Sequence, residues 1–83
     1  MSKILIVDDE EMIREMIRKY VLHEGYEAVT AKDGLEAIEL CRKNDFDVII
    51  MDIMMPGVDG YKAYQRICEF REIPCIFLSA LSQ

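Results

Sequence analysis

The sequence predicts an α/β fold built on a parallel sheet. Three observations point there: apolar runs that each end in a polar residue, helical repeats between them, and turn residues at the joins. The runs are Ile4-Leu5-Ile6-Val7, ended by Asp8 and Asp9; Val48-Ile49-Ile50-Met51, ended by Asp52; and Pro74-Cys75-Ile76-Phe77-Leu78, ended by Ser79. Continuous apolar runs of this length suit strands buried on both faces of a parallel sheet.

The elements follow in order. After the first strand, Met12, Ile13, Met16, Ile17, Tyr20 and Val21 repeat at helical spacing and predict one apolar stripe, with Gly25 as the helix stop. Tyr26 to Ala31 is β-prone around Val29 and Thr30 and predicts a second strand. Asp33 followed by Glu36 has the spacing of a capping box at the start of a second helix, from which Leu35, Ile38 and Cys41 are expected to face the core. Lys43-Asn44 closes that helix, and the third strand follows at Val48 to Met51. The segment Met54-Met55-Pro56-Gly57-Val58-Asp59-Gly60 is dense in breakers and predicts a turn. A third helix starts at Asp59 or Gly60, with Tyr64, Ile67 and Cys68 inward, and the fourth strand runs from Pro74 to Leu78. The order is βαβαβαβ, so right-handed crossovers should place helices on both faces of the sheet.

Composition narrows the function. Eighty-three residues make one small domain, and 52% hydrophobic content supports a packed core. Sixteen acidic residues against ten basic ones give a net charge of −6, with a pI near 4.6. That balance argues against direct binding of nucleic acid or an anionic membrane, both of which need a basic face. No apolar run approaches a membrane span, and the few apolar residues before Asp8 are too few for a signal-peptide core. A cytoplasmic location is expected. Cys41, Cys68 and Cys75 lack metal-type spacing and read as buried free thiols.

In open α/β sheets, ligands bind beyond the carboxyl ends of the strands. One sheet edge would therefore gather Asp8, Asp9, Asp52 and the Ser79 hydroxyl. Three carboxylates that close repel one another, and they are costly to desolvate unless a cation joins them. The pattern predicts a divalent metal site with a spare carboxylate beside it. Each residue alone has a plainer reading: Asp9 as a helix cap, Asp52 as a turn residue, Ser79 as a strand-end hydroxyl, Asp59 as an N-cap. The methionines read as gap fillers. The joint placement of the acids favours the site.

The chain resembles the receiver domain of two-component response regulators. The resemblance is carried by Ile4-Leu5-Ile6-Val7-Asp8-Asp9-Glu10, Asp33-Gly34-Leu35-Glu36-Ala37, Asp47-Val48-Ile49-Ile50-Met51-Asp52-Ile53-Met54-Met55-Pro56-Gly57-Val58-Asp59-Gly60 and Ile73-Pro74-Cys75-Ile76-Phe77-Leu78-Ser79-Ala80. The third block is the most specific. The resemblance implies a flavodoxin-like three-layer sandwich with strand order 2-1-3-4, whose topological switch lies between strands one and three. It implies that Asp52 accepts a phosphoryl group from a sensor histidine kinase. It further implies Mg²⁺ (or Mn²⁺) held by Asp9 and Asp52 directly, by Asp8 through water, and by the backbone carbonyl of Met54. Ser79 matches the hydroxyl position that bonds phosphoryl oxygens, and Ala80 leaves room for them. Such a module catalyses its own phosphorylation and dephosphorylation but is not an enzyme acting on a separate substrate. The Arg71-Glu72-Ile73-Pro74 and Leu78-Ser79-Ala80 stretches look like those of receivers attached to DNA-binding output domains, which implies transcription regulation.

Measured against that family, residues 1–83 are expected to be the N-terminal part of a single receiver, without an output domain, the last strand or the last two helices. A lysine that pairs with the phosphoryl group and an aromatic switch residue fall in the remainder, so impaired phosphorylation is expected of this chain. The exposed fourth strand is expected to drive self-association. Competing functions are an oligomerisation or interaction fragment that is not phosphorylated, and a Mg²⁺-dependent phosphohydrolase. The second would need an acid two residues after the nucleophile, where Met54 stands. A dinucleotide site is disfavoured because Asp8-Asp9-Glu10 occupies the place of a glycine-rich loop.

Overall fold

Apolar runs and helical repeats alternate along the computed structural model, which describes residues 2–78. The elements are β1 (Lys3–Val7), α1 (Glu11–His23), β2 (Glu27–Ala31), α2 (Gly34–Lys43), β3 (Val48–Asp52), α3 (Gly60–Cys68) and β4 (Cys75–Leu78). All strands pair in parallel, in the order β2-β1-β3-β4. The order and the βαβαβαβ sequence agree with expectation. β2 starts at Glu27 and β4 at Cys75, each one residue later than the sequence suggested.

Alternation along each strand sorts the core into two layers. Leu5 and Val7 of β1 and Ile49 and Met51 of β3 face α2 and α3, where Ala37, Ile38, Cys41, Ala63 and Ile67 close the larger cluster. Ile4 and Ile6 face the other way, under Val21 and Ile17 of α1. β1 is central, and Leu5, Ile6 and Val7 are fully buried. This is why its run is continuously apolar.

The helices begin where local chemistry dictates. The Glu36 amide donates to the Asp33 carboxylate at 2.8 Å, and the Lys32 amide donates to the Glu36 carboxylate at 2.7 Å. The box therefore closes one residue earlier than its simplest form, on Lys32. Asp59 caps α3, accepting from the Lys62 amide at 2.9 Å.

Four sequence expectations about facing need correction. Met12, Met16 and Tyr20 are 84%, 65% and 69% exposed, so the apolar stripe of α1 is split. Ile17 and Val21 form the contact on the sheet, and the row one residue earlier faces outward. Leu35 lies in the first turn of α2 and is exposed, while Gly34, Ala37, Ile38 and Cys41 make the contact. Cys68 is exposed at the end of α3, where Ala63 and Ile67 point inward. Of the three free thiols only Cys41 is buried; Cys75 is half-buried. Burial pushes the Cys41 thiol up to about 11 and Cys75 to about 12, so both are protonated and poorly reactive at neutral pH.

Candidate functional site

Parallel pairing brings the ends of β1 and β3 to one edge. Val7 stands beside Met51, so Asp8 and Asp52 follow as neighbours where the two strands stop. The chain leaves β1 toward β2 and leaves β3 toward β4, which opens a crevice between the two exits. Asp8, Asp9 and Asp52 each place a carboxylate oxygen there, and these atoms all lie within 4.8 Å of one another. Asp8 is buried, Asp52 half-buried and Asp9 exposed. The three acids singled out in the sequence thus form one cluster, and it is the only such His/Cys/Asp/Glu group among the described residues.

Backbone bonds fix the frame. The Asp8 amide donates to the Ala31 carbonyl at 3.2 Å, continuing the ladder one step beyond β1. The Glu10 amide donates to Asp8 Oδ1 at 2.9 Å, which turns the chain into α1 and aims the Asp8 carboxylate. Arg14 Nη1 donates to the Asp8 carbonyl at 2.9 Å. Sequence reading missed Arg14; its only signal is its place one turn into α1. On the other wall, the Ile53 amide donates to the Leu78 carbonyl, and the Met54 amide donates to Asp52 Oδ1 at 3.2 Å. The loop after Asp52 therefore folds back over it, which brings the Met54 backbone to the cluster. Ser79 and Ala80 lie outside the described residues. Asp9 does not cap α1: the cap position is Glu10, with no side-chain bond.

Electrostatics at the site run against the ionised acids. Desolvation by burial raises the Asp8 pKa most, with Asp9 adding to it, against the Glu10 amide bond and Arg14, which lower it. Desolvation also leads at Asp52, and the negative charges of Asp8 and Asp9 push the same way; the Met54 amide bond opposes them. Like charges that are held together and only partly relieved by hydrogen bonds suit a cation with oxygen ligands. The donor set of three carboxylates on two rigid strand ends fits Mg²⁺ or Mn²⁺.

The model of the response regulator receiver domain matches residues 4–83. The chain belongs to this family. Among curated relatives, a probable transcriptional regulator ycf27 of Guillardia theta is 47% identical over 80 residues, 96% of this chain and 32% of that protein. Response regulator RR06 of Streptococcus pneumoniae is 42% identical, over 94% of this chain and 36% of that protein. The chain thus spans about a third of the length of these relatives. Among solved structures, the response regulator TrrA of Thermotoga maritima in complex with Mg²⁺-BeF superposes with a TM-score of 0.91. It is 38% identical, over 99% of this chain and 72% of that one. TrrA in complex with the histidine kinase ThkA gives a TM-score of 0.90 at the same identity, over 100% of this chain and 72% of that one. The receiver fold with order 2-1-3-4 is therefore the family's own, and no described helix is long and apolar enough to cross a membrane.

Loss of one charge should make the metal-free domain more stable. Asp52→Asn keeps shape and the oxygen that accepts from Met54, but removes the crowded negative charge. The folded-state pKa of Asp52 is raised, so its penalty is fully present above that pKa and fades as pH falls toward the unfolded value. In chelator-treated samples the variant should melt several degrees higher at pH 7. A gain of about 1 kcal/mol moves Tm by roughly 4–8 °C in a domain of this size. The gap should narrow toward pH 4 in thermal melts.

Proposed function

We propose that this receiver accepts a phosphoryl group on Asp52 from a sensor histidine kinase, with Mg²⁺ (or Mn²⁺) held by Asp8, Asp9, Asp52 and the Met54 backbone carbonyl. The observation that carries the reading is the closure of three carboxylates within 4.8 Å at the switch between β1 and β3. Mg²⁺-BeF in the TrrA complex and the pairing of TrrA with ThkA support it by similarity.

The cation, when bound, neutralises phosphoryl oxygens and the mutual repulsion of the acids. The chain's own residues do the rest. Asp8 and Asp9 hold negative charge on one wall, where the Glu10 amide fixes the Asp8 carboxylate and Arg14 holds the Asp8 backbone carbonyl. Asp52, on the other wall, turns a carboxylate oxygen to the incoming phosphorus. An oxygen–phosphorus bond forms as the phosphorus–nitrogen bond of the donor phosphohistidine breaks, and the electron pair leaves with the imidazole. The product is an acyl phosphate that water can cleave. The Met54 amide keeps the other Asp52 oxygen aligned for in-line transfer. Ser79 supplies a hydroxyl to the phosphoryl oxygens. The domain is a phosphoacceptor in a two-component pathway in the cytoplasm, without an enzyme's separate substrate. It serves transcriptional control, as the names of its relatives suggest. It does not itself contact nucleic acid or a membrane, given its net charge of −6. The chain also self-associates through the open side of β4.

Incubation with acetyl phosphate and Mg²⁺ tests the acceptor. Peptide mass spectrometry should place the label on Asp52, and Asp52→Asn should lose it. Labelling of another residue at the wild-type rate in that variant would refute the assignment. Ser79→Ala should leave Asp52 reactive and uncouple any conformational response.

A further inference from the structure

α3 begins directly against the strand that carries Asp52. Gly60 is the first residue of α3, and its amide donates to the Ile53 carbonyl at 3.0 Å. A Cβ placed on Gly60 would fall inside van der Waals contact with the Asp52 carbonyl oxygen. It would also lie 3.0 Å from Ile53 Cα and 3.1 Å from the Asp52 carbonyl carbon. These are backbone atoms at the end of a central strand, so nothing nearby is a flexible side-chain end that could swing aside. Only a residue without Cβ lets the helix close on that strand. The seam has a second lock in the Asp59 carboxylate, which holds the first turn of α3 through the Lys62 amide. Between the two contacts runs the short loop whose Met54 amide bonds Asp52 Oδ1.

We propose that Gly60 is a positioning residue for the site: its missing side chain lets α3 press on the Asp52–Ile53 backbone, and this contact sets the Asp52 carboxylate and the Met54 backbone against Asp8 and Asp9. The inference rests on the reading of these groups as a metal and phosphoryl site and goes beyond it, because Gly60 touches neither metal nor phosphoryl group. A methyl at residue 60 displaces the carboxyl end of β3, or lifts α3 with its loop. Either movement opens a cluster that spans only 4.8 Å.

The test compares Gly60→Ala with Gly25→Ala. Gly25 has φ +92° between α1 and β2 and open space around it, so alanine there strains the fold without touching the site. Two readouts are taken on folded protein. The first is Mn²⁺ affinity by calorimetry; the second is the Met54 amide proton shift by NMR without metal. Gly60→Ala should lower Mn²⁺ affinity at least about tenfold, a loss typical of disturbed support around a metal. It should also move the Met54 resonance. Gly25→Ala should lower Tm and change neither. Wild-type affinity and an unmoved Met54 resonance in Gly60→Ala overturn the proposal, as does an equal loss in Gly25→Ala. If Gly60→Ala does not fold, Asp59→Ala loosens the same seam without adding an atom. It should reduce affinity about threefold and shift Met54, and an unchanged site in it overturns the proposal. Absence of Mn²⁺ binding in wild type would refute the metal reading, while the metal-free Met54 shift still decides the role of Gly60.

Discussion

Asp9→Asn should weaken Mg²⁺ binding by at least about 10–100-fold, the range that loss of even an outer-sphere partner produces. The acids are not equivalent. Asp8 is buried and already engaged by the Glu10 amide, and Asp52 is engaged by the Met54 amide. Asp9 is exposed, and no hydrogen bond among the described residues fixes its carboxylate to the backbone. It is therefore the group most able to turn toward an ion at little cost. Asparagine preserves size but removes one of three clustered charges, and with it much of the attraction for a strongly hydrated dication. The same change relieves repulsion on Asp8 and Asp52, since Asp9 raises the pKa of both. The variant should thus bind metal poorly yet melt at or above the wild-type temperature without metal. Calorimetric titration with Mg²⁺, paired with melts in chelator, reads both effects. Equal affinity in variant and wild type would remove Asp9 from the site.

The strands and the acid cluster were legible in the sequence because both depend on short-range pattern. A run such as Ile4 to Val7 has no polar face to offer solvent, so a central parallel strand is the arrangement that buries it, and the next residue marks the edge where ligands bind. Asp33 and Asp59 were legible as caps for the same local reason. Facing was less legible. Met12 and Met16 have the helical spacing of core residues, but α1 meets the sheet along a single row, and its neighbouring row is left in solvent. Leu35 and Cys68 sit at helix ends, where the direction of a side chain depends on how the helix meets its neighbours and not on period. Arg14 and Gly60 were hidden for another reason. Their roles come from backbone atoms of Asp8 and Asp52, and the spacing of side chains carries no record of such contacts.

The 83-residue chain is expected to self-associate through β4, and Ile76→Lys should abolish that association. β4 pairs with β3 on one side only among the described residues, leaving the outward N–H and C=O groups without a strand partner. Cys75-Ile76-Phe77-Leu78 carries no charge to discourage pairing. Ile76 is 56% exposed on the face opposite α3, while Phe77 packs against Tyr61 and Tyr64 on the helical side. Burial of a side chain of that size contributes roughly 1.5–3 kcal/mol, and two copies would gain it twice. Antiparallel pairing of the two β4 edges about a two-fold axis is the simplest closed arrangement, because each strand offers the other the same groups. A net charge of −6 on each chain opposes approach, but at about 0.15 M salt the screening length is only ~8 Å. Association should therefore strengthen as salt rises from low values. Lysine at residue 76 places a charge on each side of the pairing edge, a device natural edge strands use against this contact. Ile76 is more than half exposed, so the substitution should leave far-UV circular dichroism unchanged. Light scattering under reducing conditions should then show a monomer for the variant and a larger species for the wild type. A wild-type chain that stays monomeric at high concentration, with slow amide exchange along β4, would show that this edge is protected within one chain.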